Sequence, residues 1–208
     1  MPLFCMLRRT GERGTCYNLL NIRIADIDEN LWQGEKSMIG RPQTEEYNVY
    51  YSTYVSMVPE GDIAQILREQ LEETTAALSA ISEERGDYRY APGKWSIKQV
   101  IGHLADNERI MSYRMLRIAR GDQTPLPGYD QNAYMATVDF AENSLRELIE
   151  DFAAARKSTL SLIALLPGDG WVRTGSANNS PLSARALAYI IAGHATHHLN
   201  GIKTNYLK

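Results

Sequence analysis

Cysteine, net positive charge and long apolar runs are all scarce in this 208-residue sequence, and each scarcity removes a class of protein. The two cysteines, Cys5 and Cys16, both fall in the first segment, too few and too local for a disulfide framework. A reducing cytoplasm is the expected compartment. No apolar run approaches the roughly 20 residues that a spanning helix needs, so the chain is expected to be soluble and to have no membrane partner. The stretch Met1 to Leu7 is apolar but short, and Arg8 and Arg9 follow it, which reverses the charge order of a secretory signal. Lys and Arg number 22 against 25 Asp and Glu, a net charge of -3 with the signs mixed along the chain. With no basic stripe to neutralise phosphates, nucleic acid is not an expected partner. What remains is an ordinary globular composition, 44% hydrophobic, enough for one domain with a core plus an extension.

Residues 1–60 show no sustained period and are punctuated by Gly40-Arg41-Pro42 and Pro59-Glu60-Gly61, which reads as an irregular N-terminal extension. Met38 is a candidate natural start, leaving residues 1–37 as an upstream segment. From residue 61 onward helical periods take over. Asp62 caps a first helix over about 62–83, carried by Ile63, Ile66, Leu67, Leu71, Leu78 and Ile81. Ser96-Ile97-Lys98-Gln99 is a capping box opening a second helix that ends near Gly121. Asp139-Phe140-Ala141-Glu142 reads as another box, with an apolar stripe from Leu145 through Phe152 to Leu166 before Pro167-Gly168. A turn-rich stretch precedes a fourth helix along Leu182, Leu187, Ile190, Ile191, His194, His198 and Ile202. With no convincing alternating strand, the expected fold is all-α: a four-helix bundle over 61–208 with a long connection between helices two and three. That connection, tipped by Tyr129-Asp130-Gln131, is long enough to suggest a role beyond linkage.

The chain has only four histidines, and three of them fall in His194-Ala195-Thr196-His197-His198. At about 100° per residue, positions four apart project side by side one turn apart, so His194 and His198 can reach one ion. They lie on the apolar face, where an unpartnered imidazole is costly to desolvate. His103, between Gly102 and Leu104, is the remaining histidine and also faces inward. An isolated His-x-x-x-His is equally compatible with histidines that bind nothing; a third inward-facing histidine across the bundle favours a metal. Three imidazoles with open positions are the arrangement of a catalytic zinc site, and nickel or iron would also accept them. His197 lies about 60° round from His194 and could substitute as a ligand or serve as an acid/base group. The residue after His194 is Ala195 and not Glu, so the metalloprotease helix signature is absent and peptidase chemistry is disfavoured.

Asp106 and Asn107 share the face of His103 and could orient an imidazole or a water, while Glu108 points further round. The plainer alternative is a solvated face with Glu108 or Asp106 paired to Arg109 or Arg114. Tyr129, Asp130 and Gln131 are candidates for the mouth of a pocket or simply for a turn. Trp95 is best explained as a buried aromatic that fixes the start of helix two. With His197, Asp106 and Glu108 as the candidate catalytic groups, no general base is unmistakable.

The run Trp95-Ser96-Ile97-Lys98 leading to His103-Leu104-x-Asp106-x-Glu108, with His194-x-x-His197-His198 near the end, resembles the DinB-like superfamily of bacterial proteins over about residues 62–207. The resemblance implies a four-helix bundle holding a divalent metal, often nickel or zinc, on His103, His194 and His198, and a homodimer. Iron and manganese remain further candidates. It also implies a small-molecule substrate, since the superfamily includes thiol S-transferases using low-molecular-weight thiols and a maleylpyruvate isomerase. The expectation is a metal-dependent enzyme transferring such a thiol to an electrophile. A metal-dependent hydrolase and a non-catalytic metal-binding or stress-response protein are the alternatives.

Overall fold

A short polar side chain closes the first turn of each long helix, and these caps set the boundaries of the fold. The computed structural model describes residues 39–208, so the readings of residues 1–37, of Met38 and of the two cysteines lie outside the described residues. Among the described residues the α-helices are α1 (Ser52–Ser56), α2 (Ile63–Ser79), α3 (Ile97–Ala119), α4 (Gln131–Thr137), α5 (Leu145–Ala164) and α6 (Ala184–Gly201). Two short strands, β1 (Thr174–Ala177) and β2 (Ser180–Ser183), pair antiparallel. Asp62 caps α2, its carboxylate accepting from the Ala64 amide at 3.1 Å. At α3 the Ser96 hydroxyl accepts from the Gln99 amide at 3.2 Å and Gln99 accepts from the Ser96 amide at 3.0 Å, which completes the box. No described helix is long and apolar enough to cross a membrane.

The box placed at Asp139 is corrected by the structure. Asp139 accepts from the Ala141 amide at 3.0 Å but caps only a single 3-10 turn, Phe140–Glu142, after which Asn143 is extended. The reciprocal box belongs to Ser144 and Glu147, at 3.2 and 2.8 Å, and α5 starts there. The isolated turn has a use, because it seats the Phe140 ring where a Cβ on Gly102 would stand. The long connection is also more ordered than a loop: it carries α4, capped by Asp130 and anchored by buried Met135. A hairpin replaces part of the turn-rich stretch. Asn178 and Asn179 adopt φ of 51° and 57°, the left-handed pair a two-residue hairpin turn requires.

In the bundle α3 lies along both α5 and α6, and α2 packs against the same two helices. Leu104, Phe152 and Ala195 meet between α3, α5 and α6. A buried polar network ties the four long helices together. Arg156 of α5 donates from Nε and Nη2 to the two Glu108 oxygens of α3, at 2.8 and 3.0 Å. Its Nη1 reaches the Gln70 side chain of α2 at 2.8 Å, and Gln70 donates to the Ala192 carbonyl and the Thr196 hydroxyl of α6, each at 2.8 Å.

Residues 39–60 differ most from the sequence reading. In place of an irregular extension they carry two 3-10 turns and α1, and they are fastened to the bundle. Arg41 donates to the Val55 and Val58 carbonyls, both at 2.7 Å, and the Ser183 hydroxyl donates to Glu46 at 2.7 Å. Elements this short leave no period in the sequence. α1 crosses α6 so closely that a Cβ on Gly193 would run into the Tyr54 carbonyl, which is why α6 is buried on more than its bundle face. Gly193→Ala is therefore expected to destabilise the fold by about 1–3 kcal/mol through overpacking, read as a lower denaturation midpoint in urea.

Candidate metal centre

The packing of α3 on α6 brings three imidazoles from two helices to one point. His103 Nε2 lies 3.0 Å from His194 Nε2, which lies 3.1 Å from His198 Nε2. All three ligand atoms fall within 4.8 Å of one another, and they form the one such cluster of histidine, cysteine or acidic groups among the described residues. His103 and His194 are 1% and 5% exposed, and His198 is half-buried. Burial pushes the His103 ring down to about 4. It pushes His198 to about 3, helped by the neighbouring His103 and His197, and it lowers His194 as well, with its three histidine neighbours acting in the same sense. All three rings are thus neutral near pH 7, and neutral imidazole is the form that binds metal. On a small divalent ion with bonds of about 2.0 Å, neighbouring donors sit roughly 3.2 Å apart, so the nitrogens already stand near that separation. The donor set fits zinc or nickel and leaves coordination positions open.

Aromatic rings wall the cluster. The Trp95 ring centroid is 4.9 Å from that of His103, and the Tyr54 centroid is 5.4 Å from His194 and 5.5 Å from His197. Trp95 therefore does more than fix the start of α3: it packs on the core and on a ligand ring. His197 is exposed beside His198, with ring centroids 5.1 Å apart, and its nitrogens are not among the three that converge.

Neither acidic candidate joins the cluster. Glu108 is committed to Arg156, so it is a structural group that neither orients a ligand nor pairs with Arg109 or Arg114. Asp106 is partly buried, and burial raises its carboxyl while Arg109 opposes the shift. Arg109 itself is bonded to Asp151 at 3.0 Å. Asn107 donates to the Tyr129 hydroxyl at 2.7 Å. Asp130 is spent on capping α4, bonding the Asn132 and Ala133 amides at 2.8 and 3.3 Å.

Two cavities reach the histidines from different elements. One, of about 310 Å³, touches His194 and is walled by Tyr54, Asn107, Arg114, Tyr129 and Gln131. The other, of about 470 Å³, touches His197 and His198 and is walled by Tyr90, Trp95 and Tyr206. Tyr129 and Gln131 therefore line a cavity, as the tip of the long connection suggested. Sequence reasoning missed Tyr54, Arg114, Tyr90 and Tyr206 as wall residues. Tyr54 sits in a tyrosine-rich stretch, Tyr50-Tyr51-Ser52-Thr53-Tyr54, whose only signal was composition. Arg114 had a positional signal: eleven residues after His103 is about 1100°, or about 20° beyond three full turns, which puts both on one face of α3.

The DinB superfamily sequence model matches residues 66–202. Among solved structures, YfiT from Bacillus subtilis, described as a probable metal-dependent hydrolase with an unusual four-helix bundle topology, superposes with a TM-score of 0.61 at 18% identity, covering 82% of this chain and 91% of its own. The mycothiol-dependent maleylpyruvate isomerase superposes with a TM-score of 0.58 at 14% identity, covering 72% of this chain and 62% of its own. At these identities the likeness is one of fold. No curated protein sequence gives a significant match.

Two measurements follow from the site's electrostatics. In metal-free protein, stability due to the buried rings is full above about pH 6.5, the unfolded value, and is lost as pH falls toward 4, because the unfolded chain takes up protons that the native rings refuse. Urea midpoints between about pH 7 and pH 4 should therefore fall more steeply for the wild type than for a His103→Gln/His198→Gln variant; parallel slopes would refute neutral buried rings. Glu108→Gln should cost about 3 kcal/mol by leaving Arg156 buried without its counter-ion. The loss is read as a lower denaturation midpoint in urea.

Proposed function

The chain belongs to the DinB superfamily, and on that footing we propose a metal-dependent enzyme that transfers a low-molecular-weight thiol to an electrophilic small molecule. The observation that carries the proposal is a cluster of three neutral imidazole nitrogens reached by two cavities, one at His194 and one at His197 and His198. Two compartments at one cluster suit a transfer between two molecules, whereas hydrolysis calls for one compartment and water. His103, His194 and His198 would hold the ion, with zinc or nickel as the favoured metals and iron or manganese as further candidates. A divalent ion held there supplies a Lewis acid that favours the deprotonated nucleophile near neutral pH.

The remaining work falls to the chain. Trp95 and Tyr206 wall the cavity beside His198, where a thiol can lie against apolar surface. Tyr54 packs edge-on against His194 and limits water at that buried ring. His197, exposed and lining the same cavity as His198, is placed to accept the thiol proton and pass it to solvent. In the transfer the sulfur electron pair forms a carbon–sulfur bond as the bond to the leaving group breaks. The leaving group departs with that bonding pair, and the thiol proton balances it in solution.

Metal-dependent hydrolysis is the second reading, favoured by the likeness to YfiT, described as a probable metal-dependent hydrolase. Purified protein reconstituted with zinc, nickel, iron or manganese should consume a chlorodinitrobenzene electrophile only when a thiol such as bacillithiol, mycothiol or cysteine is present. His103→Ala and His198→Ala should abolish the reaction. Consumption of ester or amide substrates without thiol would move the assignment to hydrolysis, and no turnover with any metal and thiol would overturn it.

A further inference from the structure

Two arginines of this chain are fully buried among the described residues, and their surroundings differ in one respect. Arg156, 0% exposed, faces a carboxylate: Glu108 takes two of its hydrogen bonds. Arg114, 3% exposed, has no carboxylate within ion-pair reach among the described residues. Its Nη2 donates to the Pro127 carbonyl at 2.6 Å, its Nη1 points at the Met111 sulfur at 3.5 Å, the Tyr51 hydroxyl accepts a further hydrogen bond, and the guanidinium lies 5.8 Å from the Tyr129 ring centroid. These partners orient the group without neutralising it. A buried cation lacking a counter-ion is costly to desolvate.

Arg114 lines the 310 Å³ cavity that reaches His194, and no Asp, Glu or Lys lines that cavity with it. The other polar groups there are amides and hydroxyls, including Asn107, Gln131, Tyr51 and Tyr129. Burial raises the hydroxyls of Tyr51 and Tyr129, with Arg114 opposing the shift in each case, so they remain neutral donors at physiological pH. The cavity therefore carries one positive charge and no negative one.

We propose that this cavity binds the carboxylate of a small organic acid, with Arg114 as its counter-ion, so that the molecule's far end reaches the metal centre at His194. This deepens the preceding reading, since it names the class of one of the two substrates, and it rests on that reading for the reaction only. A monoanionic carboxylate matches the single guanidinium in charge, whereas a phosphate dianion would bring one charge too many. Arg114 stands about 16 Å from His103 along the axis of α3, on the same face. Its side chain leans back toward the N-terminus and shortens that gap without closing it. The carboxylate is thus remote from the reacting atoms and does not itself occupy the metal. Tyrosine rings along the cavity suit a flat apolar body between the two ends.

The test is isothermal titration calorimetry of the full-length zinc-loaded protein with benzoate, 3-phenylpropionate and 5-phenylpentanoate, with their primary amides, and with inorganic phosphate. The acids should bind at least about tenfold more tightly than the matching amides, a comparison that needs no variant. Arg114→Gln should remove that preference while zinc per chain stays unchanged, and Arg114→Lys should restore it in part. Equal affinity for acids and amides, an acid preference that survives Arg114→Gln, or tighter binding of phosphate than of any acid would each overturn the proposal. Carboxylate binding without turnover would count against the enzymatic reading alone, and turnover without a carboxylate preference would count against this proposal alone.

Discussion

Two helices, α3 and α6, must meet in register for three imidazole nitrogens to come together, and the Arg156 network ties both of them to α2 and α5 so that this register is fixed. Arg156 on α5 grips Glu108 on α3, five residues beyond His103, and passes through Gln70 on α2 to Ala192 and Thr196 on α6, on either side of His194. Apolar packing alone tolerates small slides between helices, because one methyl replaces another with little loss. A buried bidentate ion pair does not, since a shift of an ångström leaves a charge unpaired. The cluster at Nε2 is therefore held by groups that never touch it.

The same reasoning separates the two buried arginines. One is paired with a carboxylate within the protein; the other is held by a carbonyl, a sulfur, a tyrosine hydroxyl and an aromatic ring, with no carboxylate in ion-pair reach among the described residues. Both lie on the inner faces of their helices. Where a packed interior retains an unpaired cation beside a cavity, the missing anion is a natural candidate for the ligand.

The parts of this molecule that were legible in the sequence are those encoded by short-range spacing. His194 and His198 are four residues apart on a strongly apolar helix, His103 sits among inward-facing neighbours, and the boxes at Ser96 and the cap at Asp62 mark helix starts directly. The DinB resemblance and the all-α bundle followed from these features, and the fold match supports both. What escaped depends on long-range partners or on elements too short to repeat. Asp139 looked like a box start because Glu142 follows at the right spacing, yet Ser144 and Glu147 lie five residues further on and complete both bonds. Arg156 falls in the gap of the α5 apolar stripe between Phe152 and Leu160, a visible sign of an inward-facing charge, but its partner is 48 residues away. Tyr54 belongs to a helix of five residues, so no periodicity could announce it.

The two cavities draw their walls from different parts of the chain. Around His194 the walls come largely from residues 48–54, the long connection and the hairpin; beside His198 they come largely from residues 90–100 and the end of α6 onward, with the long connection giving Gln131 to the first and Asn132 to the second. The histidine-bearing faces of α3 and α6 are common to both. Substitutions in the turns and short helices can reshape the wall of a cavity while leaving the histidine cluster on the two long helices in place, so the shape of a pocket can drift independently of the imidazoles at its base.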